Sequence, residues 1–177
     1  FLIDSGLDSS FQSGGNISGL FAKDYIISSK QNKGDNILSK INKYPAKIQG
    51  VFLTHLHGDH TSGIPELPKN IEYYVGKGET YINYKYIYYS NHLNEINEIY
   101  ELNPNMGINM PYLDKVIDIF GDGSFLAIPS MGHSNSHMSY LLSTKLGVFL
   151  LLGDVSHTWK GWEWEVEPGW MVDRNKG

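Results

Sequence analysis

The sequence predicts an α/β sandwich built of layers. Three observations carry that expectation. Helix-like and strand-like patterns alternate in the first half, strands follow one another in series in the second, and 177 residues with 41% apolar content suffice for one domain with a real core.

Taken in order, Phe1-Leu2-Ile3 followed by Asp4-Ser5-Gly6 reads as a buried strand ending in a tight turn. Residues 7–20 are rich in Ser, Gly and Asn and read as loop. Asp35 is placed to cap a short helix running to about Lys43, with Ile37, Leu38 and Ile41 inward and Pro45 ending it. Val51-Phe52-Leu53 is a short buried strand. Residues 61–67 read as a helix start or turn, and Ile71–Val75 as a strand. Glu79–Leu102 reads as helix, crowded with Tyr81, Tyr84, Tyr86, Tyr88 and Tyr89 at spacings that suit a packed face or an aromatic wall over a pocket. His92 lies there with no ligand-like neighbours and is expected at the surface. Asn103–Pro111 is loop. Strands are then expected at Lys115–Phe120, Phe125–Ile128, Met138–Leu142 and Val148–Leu152, divided by Gly-Asp-Gly and Lys-Leu-Gly turns. No repeat or linker interrupts the chain, so residues 1–177 are read as a single domain.

The chemistry concentrates in Thr54-His55-Leu56-His57-Gly58-Asp59-His60, directly after a buried strand. His55 and His57 lie two apart, so at the end of an extended strand both imidazoles leave the same side. Gly58 lets the backbone turn, and Asp59 and His60 arrive from another direction. Three imidazoles and a carboxylate suit zinc or a similar borderline metal, with His55 and His57 on one ion and Asp59 and His60 on a neighbour. Further on, Gly132-His133 follows a strand exit, and Leu150-Leu151-Leu152-Gly153-Asp154 is an apolar strand ending in an acid. Alone, each of these is an ordinary turn signal.

His-x-His-x-Asp-His after an apolar strand resembles the signature of the metallo-β-lactamase superfamily of metal-dependent hydrolases. The resemblance implies a four-layer αββα sandwich, here incomplete at both ends, with the metals at one edge between the sheets. It implies that His133 joins His55 and His57, that Asp154 bridges both ions, and that Asp4 braces the histidine loop from outside the ligand set, against the plainer reading of an Asx-turn. His137 is expected to be buried and hydrogen-bonded. The family's final histidine ligand has no counterpart, because no histidine follows His157. The chain therefore reads as the central part of such a domain, with N-terminal strands and a C-terminal strand and helix missing.

The stretch Leu152–Thr158, with the later Glu167-Pro168-Gly169, looks most like the N-acyl-homoserine-lactonase-type branch. That implies two zinc ions, with iron or manganese as substitutes, and a hydroxide on the metals opening an ester or lactone carbonyl. Asp59 is then a candidate to pass a proton to the leaving oxygen. His157 stands where lactonase-like members often carry a tyrosine; it is read as a donor to the substrate carbonyl, as a stand-in for the missing ligand, or as a solvent-exposed bystander. Other readings are a glyoxalase-type thioesterase, a tRNA-processing-type ribonuclease whose metal loop is similar, and a non-catalytic metal-binding module. A formal charge of -5 gives no basic stripe for nucleic acid, so a small-molecule substrate is expected. The absence of cysteine excludes disulfides and thiolate ligands. No apolar run approaches the roughly 18 residues of a membrane span, and no leader pattern opens the chain, so the cytoplasm is the default expectation.

Overall fold

The computed structural model describes residues 1–13, 31–44, 47–80, 92–168 and 171–175. The chain divides into two compact units, Phe1–Tyr74 with Tyr81–Tyr100, and Val75–Thr80 with Glu101–Gly177.

The first unit is built on a sheet with strand order β1 (Leu2–Ile3), β2 (Gly50–Phe52), β3 (Glu72–Gly76) and β4 (Ile99–Leu102). β1 pairs β2 in parallel, Leu2 opposite Val51, and β2 pairs β3 in parallel, Val51 opposite Tyr73. All three residues of β2 are buried, the burial expected of a central parallel strand that reads as a continuous apolar run. An aromatic ladder crosses the strands. Phe1 meets Phe52 at 5.5 Å, Phe52 stacks on Tyr74 at 4.3 Å and 7°, and Tyr74 stacks on Tyr100 at 5.3 Å. Burial, and then the acceptor Glu72, push the Tyr74 phenol up to about 12. Two short helices belong to this unit, α1 (Ile37–Ile41) and α2 (Gly58–Thr61), with a 3-10 turn at Ile64–Glu66.

The second unit is an antiparallel meander, β5 (Ile108–Met110), β6 (Asp114–Asp118), β7 (Phe125–Pro129), β8 (Met138–Thr144) and β9 (Gly147–Leu151), in that spatial order. The β7–β8 register sets Ala127 opposite Tyr140, and β8–β9 sets Tyr140 opposite Leu151. Val116, Leu126 and Ile128 form its core, with Met110, Leu113 and Leu141 packed against them. A short helix, α3 (Trp159–Glu163), follows β9.

Strands thus fall where apolar runs place them, with five corrections. Phe1–Ile3, read as a buried strand, is only half-buried in β1, and Phe1 is exposed. The N-cap of α1 is Asn36, not Asp35; the Asn36 amide donates to Glu66 instead of capping, while Asp35 pairs with Lys40 at 2.7 Å. Leu38, expected inward, is exposed. The helix expected to run to Leu102 does not: residues 92–95 are turns and Ile99–Leu102 is β4, held where the Tyr73 N–H donates to the Glu98 carbonyl. Residues 103–111 are not all loop, because β5 lies within them. Pro45 and the tyrosines from 81 to 89 lie outside the described residues. No described helix is long and apolar enough to cross a membrane.

Candidate metal centre

In the first unit the histidine loop leaves β2 and is fastened at both ends by the turn after β1. The Asp4 carboxylate accepts the Thr54 N–H at 2.8 Å on one oxygen; on the other it accepts the Thr54 hydroxyl at 2.9 Å and His60 Nδ1–H at 2.8 Å. Both the backbone N–H and the hydroxyl of Ser5 donate to the His60 carbonyl, each at 2.9 Å. Asp4 takes φ 56, a left-handed conformation that Asp tolerates better than most residues. That turn is what aims its carboxylate back across the loop.

These bonds fix tautomers. A carboxylate accepts only, so His60 carries a proton on Nδ1, which in the neutral ring leaves the lone pair on Nε2. The Thr54 hydroxyl spends its hydrogen on Asp4, so His55 Nδ1, 3.0 Å from Thr54 Oγ1, is the donor in that contact. His55 therefore also carries its lone pair on Nε2. The His55 ring lies 4.4 Å from that of His57 and 4.2 Å from that of His60, centre to centre. His55 and His57 are buried; the Asp59 side chain is 55% exposed, its carboxylate 3.7 Å from His60 Nε2.

His92 is a correction. It is not at the surface but buried, and its Nδ1 lies 2.8 Å from the Thr61 hydroxyl. Thr61 passes its own hydrogen to the His57 carbonyl at 3.1 Å, so His92 donates and braces the loop through Thr61. Sequence offered no local signal for this pair, nor for the clasp by Ser5.

In the second unit, His133 and Asp154 come from the β7–β8 connection and from the exit of β9. His133 Nε2 lies 3.3 Å from Asp154 Oδ2, and His157 Nε2 lies 3.2 Å from the same oxygen. Two atoms each about 2.0–2.1 Å from one tetrahedral ion stand roughly 3.3–3.4 Å apart, so these spacings suit ligands of a shared cation. Gly153 takes φ 59 just before Asp154, a turn that a side chain there would strain. His137 is fully buried and hydrogen-bonded, as expected. The His157 side chain is 42% exposed, against 19% for Asp154.

Beside His133 lies a hollow of about 810 Å³ lined by Met131, Val155, Trp159, Trp162 and Met171, with Glu163, Glu165 and Glu167 also on its wall. Neutral imidazoles held by carboxylate or hydroxyl partners, together with carboxylates and no thiolate, form a donor set that fits a divalent metal.

The profile of the Metallo-beta-lactamase superfamily matches residues 1–176. The N-acyl homoserine lactonase AttM of Azorhizobium caulinodans is 30% identical over 133 residues, 72% of this chain and 49% of that protein. The AttM of Agrobacterium fabrum matches at the same identity and coverage. Atrochrysone carboxyl ACP thioesterase AgnL7 of Paecilomyces divaricatus is 27% identical over 115 residues, 65% of this chain and 30% of that protein. Among solved structures, a variant of B. thuringiensis AiiA with N-decanoyl-L-homoserine at its active site aligns with a TM-score of 0.72 at 23% identity, covering 98% of this chain and 65% of that one. An N-acyl homoserine lactone hydrolase with N-hexanoyl-L-homoserine at its catalytic metal centre gives 0.71 at 23%, covering 97% and 64%. The chain spans about half the length of the curated lactonases it matches. In fold and in sequence it lies with the N-acyl-homoserine-lactonase-like branch. This chain belongs to the metallo-β-lactamase superfamily.

Proposed function

We propose that the chain carries the metal-binding core of a hydrolase that opens an ester or lactone carbonyl. In this reading His55, His57 and His133 hold one ion, Asp59 and His60 a second, and Asp154 serves both. Zinc suits the nitrogen and oxygen donors, with two ions in a complete site and iron or manganese as substitutes. The observation that carries the reading is the Asp154 oxygen flanked by two imidazole nitrogens at ligand-like spacing, 3.3 Å and 3.2 Å. When bound, the metal supplies Lewis acidity toward a carbonyl and toward water.

The chain's own groups divide the remaining work. Asp4 and Thr54 hold His60 and His55 in the tautomer that turns Nε2 into the ligating atom. Asp59, the exposed acid of the loop, is placed to carry a proton to a leaving oxygen. His157 can donate to the carbonyl oxygen from a protonated nitrogen, or itself ligate the second ion. The apolar hollow beside His133 offers room for the non-reacting part of a substrate. Lactone opening is favoured by the similarity to AttM, and a thioester carbonyl is the second reading, favoured by the similarity to AgnL7.

Metal analysis combined with rates on a lactone, a matched linear ester and a matched thioester tests this. About two ions per chain and a lactone rate abolished by chelation are expected. If the protein binds no metal, or hydrolyses none of the three, the reading falls. His157→Ala should lower kcat about ten- to a thousandfold if His157 is an oxyanion donor, with His157→Tyr largely retaining it. If His157 is a ligand, both variants should drop the content from about two ions to about one. Full metal content and unchanged rates in both would remove His157 from the site.

A further inference from the structure

Strand β9 delivers Asp154, and the backbone there is gripped by a hydrogen-bond circuit whose direction is fully determined. The Asp154 backbone N–H can only donate, and it meets His137 Nε2 at 3.1 Å. His137 therefore accepts on Nε2 and carries its proton on Nδ1. Nδ1–H then donates to the Ser130 hydroxyl at 2.8 Å. Ser139 spends its hydrogen on the Leu152 carbonyl at 3.0 Å, so in the 2.8 Å contact between the two serines Ser130 is the donor.

The circuit runs in one sense: from the Asp154 N–H through His137, Ser130 and Ser139 to the Leu152 carbonyl. It starts and ends on the residues either side of Gly153, where the chain takes φ 59 and Asp154 sits at φ -96, ψ 24. It also ties three strand ends together. Ser130 follows β7, His137 precedes β8 and its backbone carbonyl accepts the Ser130 N–H at 2.9 Å, and Ser139 lies within β8. His133 stands inside the Ser130–His137 turn.

We propose that His137 is a positioning residue for the metal ligands: through the Ser130–Ser139 circuit it sets where Asp154 stands relative to His133. The inference rests on the metal-binding reading but not on which bond is hydrolysed. A neutral imidazole serves because it accepts on one side and donates on the other across its rigid ring. A leucine fills similar volume and does neither. A glutamine can do both through one amide.

The test uses the 177-residue chain and Co²⁺ as the spectroscopic metal. Long-range ¹H–¹⁵N correlation should show His137 as the Nδ1–H tautomer. His137→Leu should weaken Co²⁺ binding about 10- to 100-fold and change the visible absorption of the bound ion, the size expected when a group that orients a ligand is lost. His137→Gln should recover most of the affinity and the wild-type spectrum. Should His137→Leu fail to fold, Ser139→Ala takes its place, with a several-fold loss of affinity and a smaller spectral change expected. An Nε2–H tautomer overturns the proposal. So does a folded His137→Leu, or in its place Ser139→Ala, with wild-type affinity and spectrum. Failure of the wild-type chain to bind Co²⁺ at all would sink the metal reading instead, while the tautomer measurement still reports on the circuit.

Discussion

Asp4 concentrates more structural consequence than any other single side chain described in the first unit. Its two oxygens take three hydrogens, from the Thr54 backbone, the Thr54 hydroxyl and His60 Nδ1. Asp4→Asn is nearly isosteric but sets an N–H₂ against donors. It should weaken metal binding about 10- to 100-fold, measured by chelator competition, and cost about 1–3 kcal/mol of stability in urea. An unchanged affinity would reduce Asp4 to the Asx-turn that its local sequence also allows. Glu66 gives a pH prediction in the same unit. Burial alone would raise its carboxyl, but donors from Ser9 and Asn36 outweigh burial and hold it below its usual value of 4.5. The unfolded state then binds the proton more readily, so this contribution is complete above the usual value and fades as pH falls through the lowered one. Glu66→Gln should flatten the acid limb of a stability-versus-pH curve. At this scale the histidine loop was legible because its ligand types crowd into seven consecutive residues. The His92–Thr61 contact was not, because its partners are 31 residues apart and neither carries a local pattern.

At the scale of elements, apolar runs located β2, β3 and β6 to β9, since short β-prone runs bounded by turn residues mark strands whether or not every position is buried. β4 escaped because Ile99-Tyr100-Glu101-Leu102 is short and its strand character comes from neighbours. Tyr100 stacks on Tyr74, and Glu98 receives the Tyr73 N–H, contacts that no local propensity records. The end of β3 shows a different constraint. A Cβ on Gly76 would clash with the Ser136 carbonyl oxygen, and Ser136 cannot easily retreat. Its N–H donates to Glu79 at 2.6 Å and its hydroxyl to the Lys77 carbonyl at 2.6 Å. Gly76→Ala should therefore destabilise by about 1–3 kcal/mol through overpacking and disturb the turn that carries His133 and His137. Gly121→Ala is the control: φ is +74 but nothing lies within 4 Å of the new methyl, so backbone strain of about 1–2 kcal/mol is its only cost. Urea melts of both variants, with Co²⁺ affinity alongside, separate the two effects. Only Gly76→Ala should change the metal.

For the molecule as a whole, the feature most open to test is the free-standing side of the meander. β9 is the last strand in the described sheet, and every residue in it is exposed. Successive side chains leave opposite faces of a strand, so Val148 and Leu150 share one face, Phe149 and Leu151 the other. Their exposures are 66% and 46%, then 49% and 38%, so both faces meet solvent. A net charge of -5 gives some general repulsion, but β9 itself holds no charged residue to block edge-to-edge pairing. Natural edge strands are usually blunted by a lysine, a proline or a bulge, and an edge that is long, apolar and uncharged is a template for another chain. The 177-residue protein should therefore self-associate as concentration rises. Val148→Lys, on the more exposed face, should shift it toward monomer in sedimentation velocity and lower its light scattering, with the melting transition little changed. A sharply monomeric wild-type chain at about 100 μM, within the micromolar-to-millimolar range in which exposed edges aggregate, would show that β9 is harmless as it stands.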